Sequence, residues 1–284
     1  GELPTSDQLK EFSTRITEYR ALPDDLISIL MALPKNTRPM DVLQMAVSSL
    51  GTFYDLEVSP EKVKSKKYNR DYFLNTSAAL IGALGSIVAA WHRIRNSQEP
   101  ITSKADLSYA ENFLYMLGAE KITPLMTRIM DATLVLHGEH TINASTFTAM
   151  VTSSTLANAS QVVASAIGSL SGPLHGGANE KVVAMLQKIN SKDDIRPWLD
   201  ETLKAKNVVW GMGHREYSVK DPRANILTDM VQELFDERDG GVTDIFEKAI
   251  ELEKACEEKL AHKGVYPNVD FYSGILYREM DIPT

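Results

Sequence analysis

Residues 76–94, which include Ala79, Leu80, Ile81, Gly82, Ala83, Leu84, Gly85 and Ser86, are rich in small and apolar residues. A helix with no polar face is one that is buried all round. Residues 146–170 have the same character, with Ala149, Ser153, Ala157, Ala159, Ala164 and Ala166. Glycine and alanine also let helix backbones approach closely. Two such helices therefore imply a tightly packed helical centre, either an ordinary core or a subunit interface. Composition alone does not choose between these.

The rest of the chain is read as one helix after another. Thr5-Ser6-Asp7-Gln8 is a capping box, followed by Leu9, Phe12, Ile16 and Tyr19 at helical spacing. Pro23-Asp24-Asp25 opens a second helix that runs through Leu33. Pro39-Met40-Asp41 opens a third, with Gly51 expected as its C-cap. Residues 59–67 are polar and lysine-bearing, the pattern of a solvated loop. Further helices are expected at about 107–117, 125–137, 179–188, 195–204, 221–238, 242–262 and 269–278. Only Val208-Val209-Trp210 resembles a strand. The class is all-α, with the glycine-rich turn at 172–177 separating a first domain (1–177) from a second (178–284).

A chain of 284 residues, 43% hydrophobic, can bury a full core. Its formal net charge of −8, without a basic block, argues against nucleic acid or an anionic membrane surface as partner. The single cysteine, Cys256, leaves no internal disulfide and fits a reducing compartment, so a cytoplasmic location is expected. No uninterrupted apolar run reaches about 18 residues, and no membrane span is expected.

Three stretches carry candidate chemistry. In the first, Gly172 and Gly176-Gly177 frame His175, giving a sharp turn and room for a ligand beside the imidazole. The second, Trp210-Gly211-Met212-Gly213-His214, leads into Asp221-Pro222-Arg223. There Asp221 can cap a helix, Pro222 fits its first position, and Arg223 falls in a first turn suited to a carboxylate or phosphate. The third places Asp270 after Tyr266-Pro267-Asn268-Val269, near a helix start, where capping is the commonest duty of an aspartate. Each residue also has a plainer reading: a hydrogen-bonded core histidine, a capped surface helix, a capping acid. His137-Gly138-Glu139-His140 offers two histidines three apart, but the H-E-x-x-H spacing and further ligands are missing, and no metal is expected.

Together these stretches resemble the citrate synthase family of bacterial type. Gly172-Pro173-Leu174-His175-Gly176-Gly177-Ala178-Asn179, Gly211-Met212-Gly213-His214 with Asp221-Pro222-Arg223, and Tyr266-Pro267-Asn268-Val269-Asp270-Phe271-Tyr272 follow in family order. His137-Gly138-Glu139-His140 with Asn143-Ala144-Ser145-Thr146-Phe147 is a fourth signature. The resemblance implies an all-α multi-helical fold with a large domain and a small one that closes over the site, assembled as a homodimer or higher homo-oligomer. It implies condensation of acetyl-CoA with oxaloacetate and hydrolysis of citryl-CoA to citrate and CoA, without metal or cofactor. In those terms Asp270 removes a methyl proton, His175 stabilises the enol or enolate, and His214 polarises the oxaloacetate ketone. His140 and Arg223 bind oxaloacetate. Val208, Val209, Gly211, Met212 and Gly213 belong to the loop that meets CoA. The helix expected at 146–170 matches one that packs across the family's dimer interface.

The same resemblance marks departures. Family chains extend beyond both ends of this sequence, and the C-terminal extension carries further arginines for the oxaloacetate carboxylates, so a chain this short is expected to bind oxaloacetate weakly. Ser218 stands where many relatives carry a basic residue for the CoA phosphates, leaving Lys220 or Arg215 as substitutes. Two other functions stay open: 2-methylcitrate synthesis from propionyl-CoA, which shares these motifs, and a non-catalytic helical assembly core.

Overall fold

The computed structural model describes residues 2–138, 141–173, 175–214, 217–238 and 241–282. Its regular elements are helices: α1 (Ser6–Glu18), α2 (Asp24–Ala32), α3 (Pro39–Ser49), α4 (Lys66–Arg95), α5 (Tyr109–Leu117), α6 (Pro124–Leu136), α7 (Ala144–Ser153), α8 (Ala159–Leu170), α9 (Ala178–Gln187), α10 (Ile195–Lys204), α11 (Pro222–Glu237), α12 (Asp244–Leu260) and α13 (Val269–Glu279). The strand expected at 208–210 does not form. Among the described residues the only β-pairing is an isolated antiparallel bridge between Met212 and Pro267.

The chain divides into two compact units, Gly1–Ile122 with Glu139–Gly176, and Thr123–Gly138 with Gly177–Thr284. A linear division at 177 therefore misassigns residues 123–138. Their helix, α6, buries Met126, Ile129, Met130 and Thr133 and packs on α11, where Arg128 pairs with Glu233. Its amphipathic pattern shows that one face is buried, but not against which part of the chain.

In the first unit α4 is the element around which α1, α2, α3 and α5 pack. Ala79, Ala83, Ile87, Ala90, Trp91 and Ile94 face a shared core with Leu26, Leu30, Val42, Ala46 and Leu50. The small residues have a direct cause: a Cβ at Gly82 would lie 2.6 Å from the Ile16 carbonyl oxygen, so glycine lets α1 touch the α4 backbone. By length and composition α4 could cross a bilayer, but here one side of it forms the core, while Phe73, Ile81 and Val88 are exposed, so it is not buried all round as its composition implied. It starts ten residues earlier than its apolar run. Ser65 caps it by accepting from the Tyr68 N–H, and Tyr72 donates to the Leu56 carbonyl at 2.9 Å. Residues 66 and 67, expected in the loop, are its first turn.

The single helix expected over 146–170 is two. α7 ends at Ser153, Leu156 takes a left-handed φ of 62°, and Asn158 starts α8 by accepting from the Gln161 N–H at 3.0 Å. α8 buries Ala164 and Ile167 and packs on α3. α7 buries no residue and leaves Phe147, Met150 and Val151 exposed. Nor is Gly51 a C-cap. It lies in a 3-10 turn, Leu50–Thr52, where a Cβ would press within 2.8 Å of the Ser160 hydroxyl.

The second unit is built on α13, against which α9, α11 and α12 pack. Phe271, Tyr272, Ile275 and Leu276 of α13 are fully buried. Leu186, Leu227, Leu234 and Leu252 from the surrounding helices are buried with them.

Candidate active site

His175 lies in the first unit, in the turn that ends α8. The turn is closed by two backbone bonds, His175 N–H to the Gly172 carbonyl at 3.0 Å and Gly176 N–H to the Leu170 carbonyl at 2.9 Å. The second occupies a carbonyl that the end of α8 leaves unpaired, and together they fix where the imidazole starts. Its Nε2 is 2.8 Å from the Ser145 hydroxyl. Ser145 is the second residue of α7, placed there because Asn143 caps the helix by accepting from the Thr146 N–H at 2.9 Å. Ser145 is part of the fourth motif stretch and orients the ring through this contact. With the hydroxyl as donor to Nε2, a neutral imidazole carries its proton on Nδ1. Ser145→Ala is expected to lower kcat about tenfold with KM little changed, since the ring loses its orienting partner. Steady-state kinetics checks this.

In the second unit the other two motif stretches lie side by side. Gly213 N–H donates to the Tyr266 carbonyl at 2.8 Å, and Asn268 N–H donates to the Gly211 carbonyl at 2.9 Å. The Asn268 amide also donates to the Gly213 carbonyl at 2.9 Å, and Asp221 N–H reaches the Pro267 carbonyl at 3.3 Å. Segments 46 to 57 residues apart are thus stapled backbone to backbone. Gly211 makes this possible: its φ is +78°, and a Cβ would fall 2.8 Å from both the Phe271 ring and Val182. Only glycine fits such a left-handed, close-packed position.

The staple sets Asp270. Asn268 caps α13, its side-chain oxygen accepting from the Asp270 N–H at 3.0 Å. The capping duty expected of Asp270 is therefore met by a neighbour, and the Asp270 carboxylate is left for other work in the first helical turn. Burial is the largest influence on it and pushes its pKa up. His137, Arg223 and His214 pull down and Asp221 pushes up, with a net rise above the ordinary carboxylate value. A raised carboxyl is a stronger base once ionised, which suits proton abstraction from carbon.

His214 is held by the same loop. The Tyr217 N–H donates to its Nδ1 at 3.3 Å, and the Tyr217 ring stacks on it at 4.5 Å. Because Nδ1 accepts, a neutral ring carries its proton on Nε2. Arg223 stands in the first turn of α11, as its sequence position implies. Asp221 accepts from the Arg223 N–H at 2.9 Å and holds the guanidinium through Nε at 3.1 Å and Nη2 at 2.8 Å. Nη1 reaches the Leu136 carbonyl at 3.4 Å. Asp221 is fully buried. Burial works to raise its carboxyl, but the side-chain and backbone bonds from Arg223 and the guanidinium charge prevail, holding it below the usual range. Arg223 thus presents a guanidinium that is already oriented and partly neutralised.

Of the expected CoA-loop residues, Val208 is exposed and Val209 buried, while Met212 and Gly213 are half-buried. The Lys181 ammonium lies 4.1 Å over the Trp210 ring, a cation–π contact not visible in the sequence. His140 and Arg215 lie outside the described residues. Lys220, named as a substitute for phosphate binding, is instead paired with Glu253. A carboxylate from a helix thirty residues on captures it, which local sequence cannot reveal. His137 is 2.7 Å from the Thr133 carbonyl through Nδ1, and among the described residues no His, Cys, Asp and Glu group of metal-binding shape occurs.

Comparison with known proteins supplies the context for these groups. A family profile described as citrate synthase, C-terminal domain, matches residues 1–284. The chain is 44% identical over 283 residues to the citrate synthase of Synechocystis sp., spanning 100% of this chain and 69% of that protein. It is 35% identical over 287 residues to the citrate/2-methylcitrate synthase of Bacillus subtilis, spanning 100% of this chain and 73% of that one. Its fold matches citrate synthase from Pyrobaculum aerophilum with a TM-score of 0.91 at 32% identity, over 99% of this chain and 70% of that one. It also matches the Thermoplasma acidophilum enzyme in ternary complex with carboxymethyl coenzyme A and oxaloacetate, with a TM-score of 0.87 at 29% identity, over 100% and 72%.

Proposed function

This chain belongs to the citrate synthase family, and from that premise we propose how its residues divide the condensation of acetyl-CoA with oxaloacetate. Asp270 takes a proton from the acetyl methyl group. His175, through Nδ1–H, donates to the thioester oxygen as that oxygen gains enolate charge. The methyl carbon then attacks the ketone carbon of oxaloacetate, and the ketone oxygen takes a proton from His214 Nε2. Arg223, with His140, holds a substrate carboxylate. Water finally cleaves the citryl thioester and CoA leaves as the thiol. This chemistry calls on no metal and no cofactor.

The observation that carries this reading is the placement of Asp270. It is capped by Asn268, desolvated, and on the same stapled segment pair as His214. A thioester α-proton is too weakly acidic for a solvated carboxylate, so the base needs burial and the oxyanion needs a fixed donor. A parallel assay of the intact protein with acetyl-CoA and propionyl-CoA tests it. Faster turnover of acetyl-CoA supports citrate synthesis. The Bacillus subtilis relative, named for both products, gives the second reading, 2-methylcitrate synthesis, which faster propionyl-CoA turnover would favour. One methylene in an apolar pocket discriminates by only about 1–3 kcal/mol.

The exposed apolar residues of α7 support a homodimer formed through that helix, since Phe147, Met150 and Val151 lie together on an element with no buried residue. Phe147→Asp is expected to convert the assembly to monomer at micromolar concentration with the helix content unchanged. Light scattering and circular dichroism check this.

A further inference from the structure

The second unit contains a buried polar cluster that none of the proposed chemical steps uses. Tyr272, fully buried on α13, donates its phenol hydrogen to one carboxylate oxygen of Glu253 on α12. The other oxygen of the same carboxylate pairs with the Lys220 ammonium. The Glu253 side chain is only 14% exposed. Such a carboxylate needs partners, and its two come from two different segments. Tyr272 lies two residues after Asp270. Lys220 immediately precedes Asp221, the residue that holds Arg223.

The backbone staple already joins these segments at Gly211, Gly213 and Asp221. The Glu253 carboxylate adds a tie from α12 to both segments, through Tyr272 on one and Lys220 on the other. Burial, then Glu253, pushes the Tyr272 hydroxyl well above its ordinary range, so it remains a donor at any working pH. The Lys220 side chain is 29% exposed, so the pair is weak support for stability as such; what it does is join two segments at one carboxylate.

We propose that Glu253 is a positioning residue, setting the Asp270 base through Tyr272 and the Arg223 clamp through Lys220. The inference rests on Asp270 being the base. Misplacing a reacting group by about 1 Å costs up to about a hundredfold in rate. The tie therefore acts on catalysis even where the fold tolerates its loss.

The test uses the intact protein and three variants, Tyr272→Phe, Lys220→Met and Glu253→Gln. The readouts are kcat, the oxaloacetate KM, thermal stability, and the primary isotope effect with methyl-deuterated acetyl-CoA. Tyr272→Phe is expected to lower kcat about ten- to a hundredfold and to raise the isotope effect, as proton abstraction becomes more rate-limiting. Lys220→Met is expected chiefly to raise the oxaloacetate KM. Glu253→Gln is expected to do both, and adding Tyr272→Phe to it should lower kcat little further, because the residues act as a unit. A merely structural cluster would lower thermal stability and leave the isotope effect and KM per folded enzyme at wild-type values. That result in all three variants overturns the inference. If one variant fails to fold, the other two still decide. Asp270→Asn, run alongside, separates the two levels: if it keeps turnover, Asp270 is not the base. If it loses turnover while the isotope effects stay unchanged, only the role of Glu253 falls.

Discussion

Asp270→Asn is expected to lower turnover by about 10²–10⁴-fold, the usual contribution of a positioned general base, while raising thermal stability at neutral pH. Both effects come from the same cause. Burial lifts the Asp270 carboxyl above its ordinary value, and the opposing pull of His137, Arg223 and His214 only partly offsets it. A folded-state pKa above the unfolded one means that the fold prefers the protonated acid. That preference is fully present below the unfolded pKa and is lost as pH rises through the folded pKa. At neutral pH the ionised base therefore costs stability, and asparagine, uncharged and of the same shape, removes the cost. The Tm advantage of Asp270→Asn should shrink as pH falls below the carboxylate range. A lower Tm at neutral pH would contradict the burial argument, and retained turnover would contradict the role. In the wild type the acid limb of the kcat profile should lie above the range of an ordinary aspartate.

Asp221→Ala is expected to be the most destabilising single change in the second unit. It removes the cap of α11, worth about 1 kcal/mol, and leaves the Arg223 guanidinium without its carboxylate. Breaking an enclosed ion pair from one side costs about 3–5 kcal/mol. Urea denaturation at pH 7 measures it, and a loss under about 1 kcal/mol would show the pair to be solvated. The pH dependence has the opposite sign to that of Asp270. Although burial alone would raise the Asp221 carboxyl, the bonds from Arg223 hold it low. Its stabilisation is therefore present above the unfolded pKa and is lost as pH falls through the folded one. The oxaloacetate KM should rise as well, because Arg223 is no longer held in the first turn of α11. Asp221→Asn, which keeps a capping oxygen but not the charge, should lose less stability.

Features written in local sequence were legible, and those that depend on distant partners were not. The capping box is present, Thr5 N–H donating to the Gln8 side chain at 2.9 Å and Gln8 N–H donating to Thr5. The Asp221-Pro222-Arg223 helix start is also as read. The break between α7 and α8 was overlooked because the small residues run on through it. Its signal was nevertheless there, in Asn158 three residues before Gln161. The start of α4 was masked by lysines, which are good helix formers as well as solvated ones. Gly211 and Gly213 are expected from the sequence only in a loop that meets CoA, and their packing against 266–268 was beyond the reach of any periodicity argument. Asn268 was invisible as the cap of Asp270, since a cap two residues before an acid reads as readily as a turn residue. Ser145 and Glu253 act across 30 and 33 residues, on His175 and Lys220. Nothing in the spacing of such pairs announces them.

The most direct measurement mixes the intact protein with oxaloacetate and acetyl-CoA carrying three deuteriums on its methyl group, then follows the mass and rate of the citrate formed. The wild type is expected to give citrate retaining two of the three deuteriums, the third having passed to Asp270 and on to solvent. Asp270→Asn is expected to form it at least about 100-fold more slowly. Citrate formed by Asp270→Asn at the wild-type rate, or no citrate from the wild type, would contradict the assignment of this chemistry to Asp270.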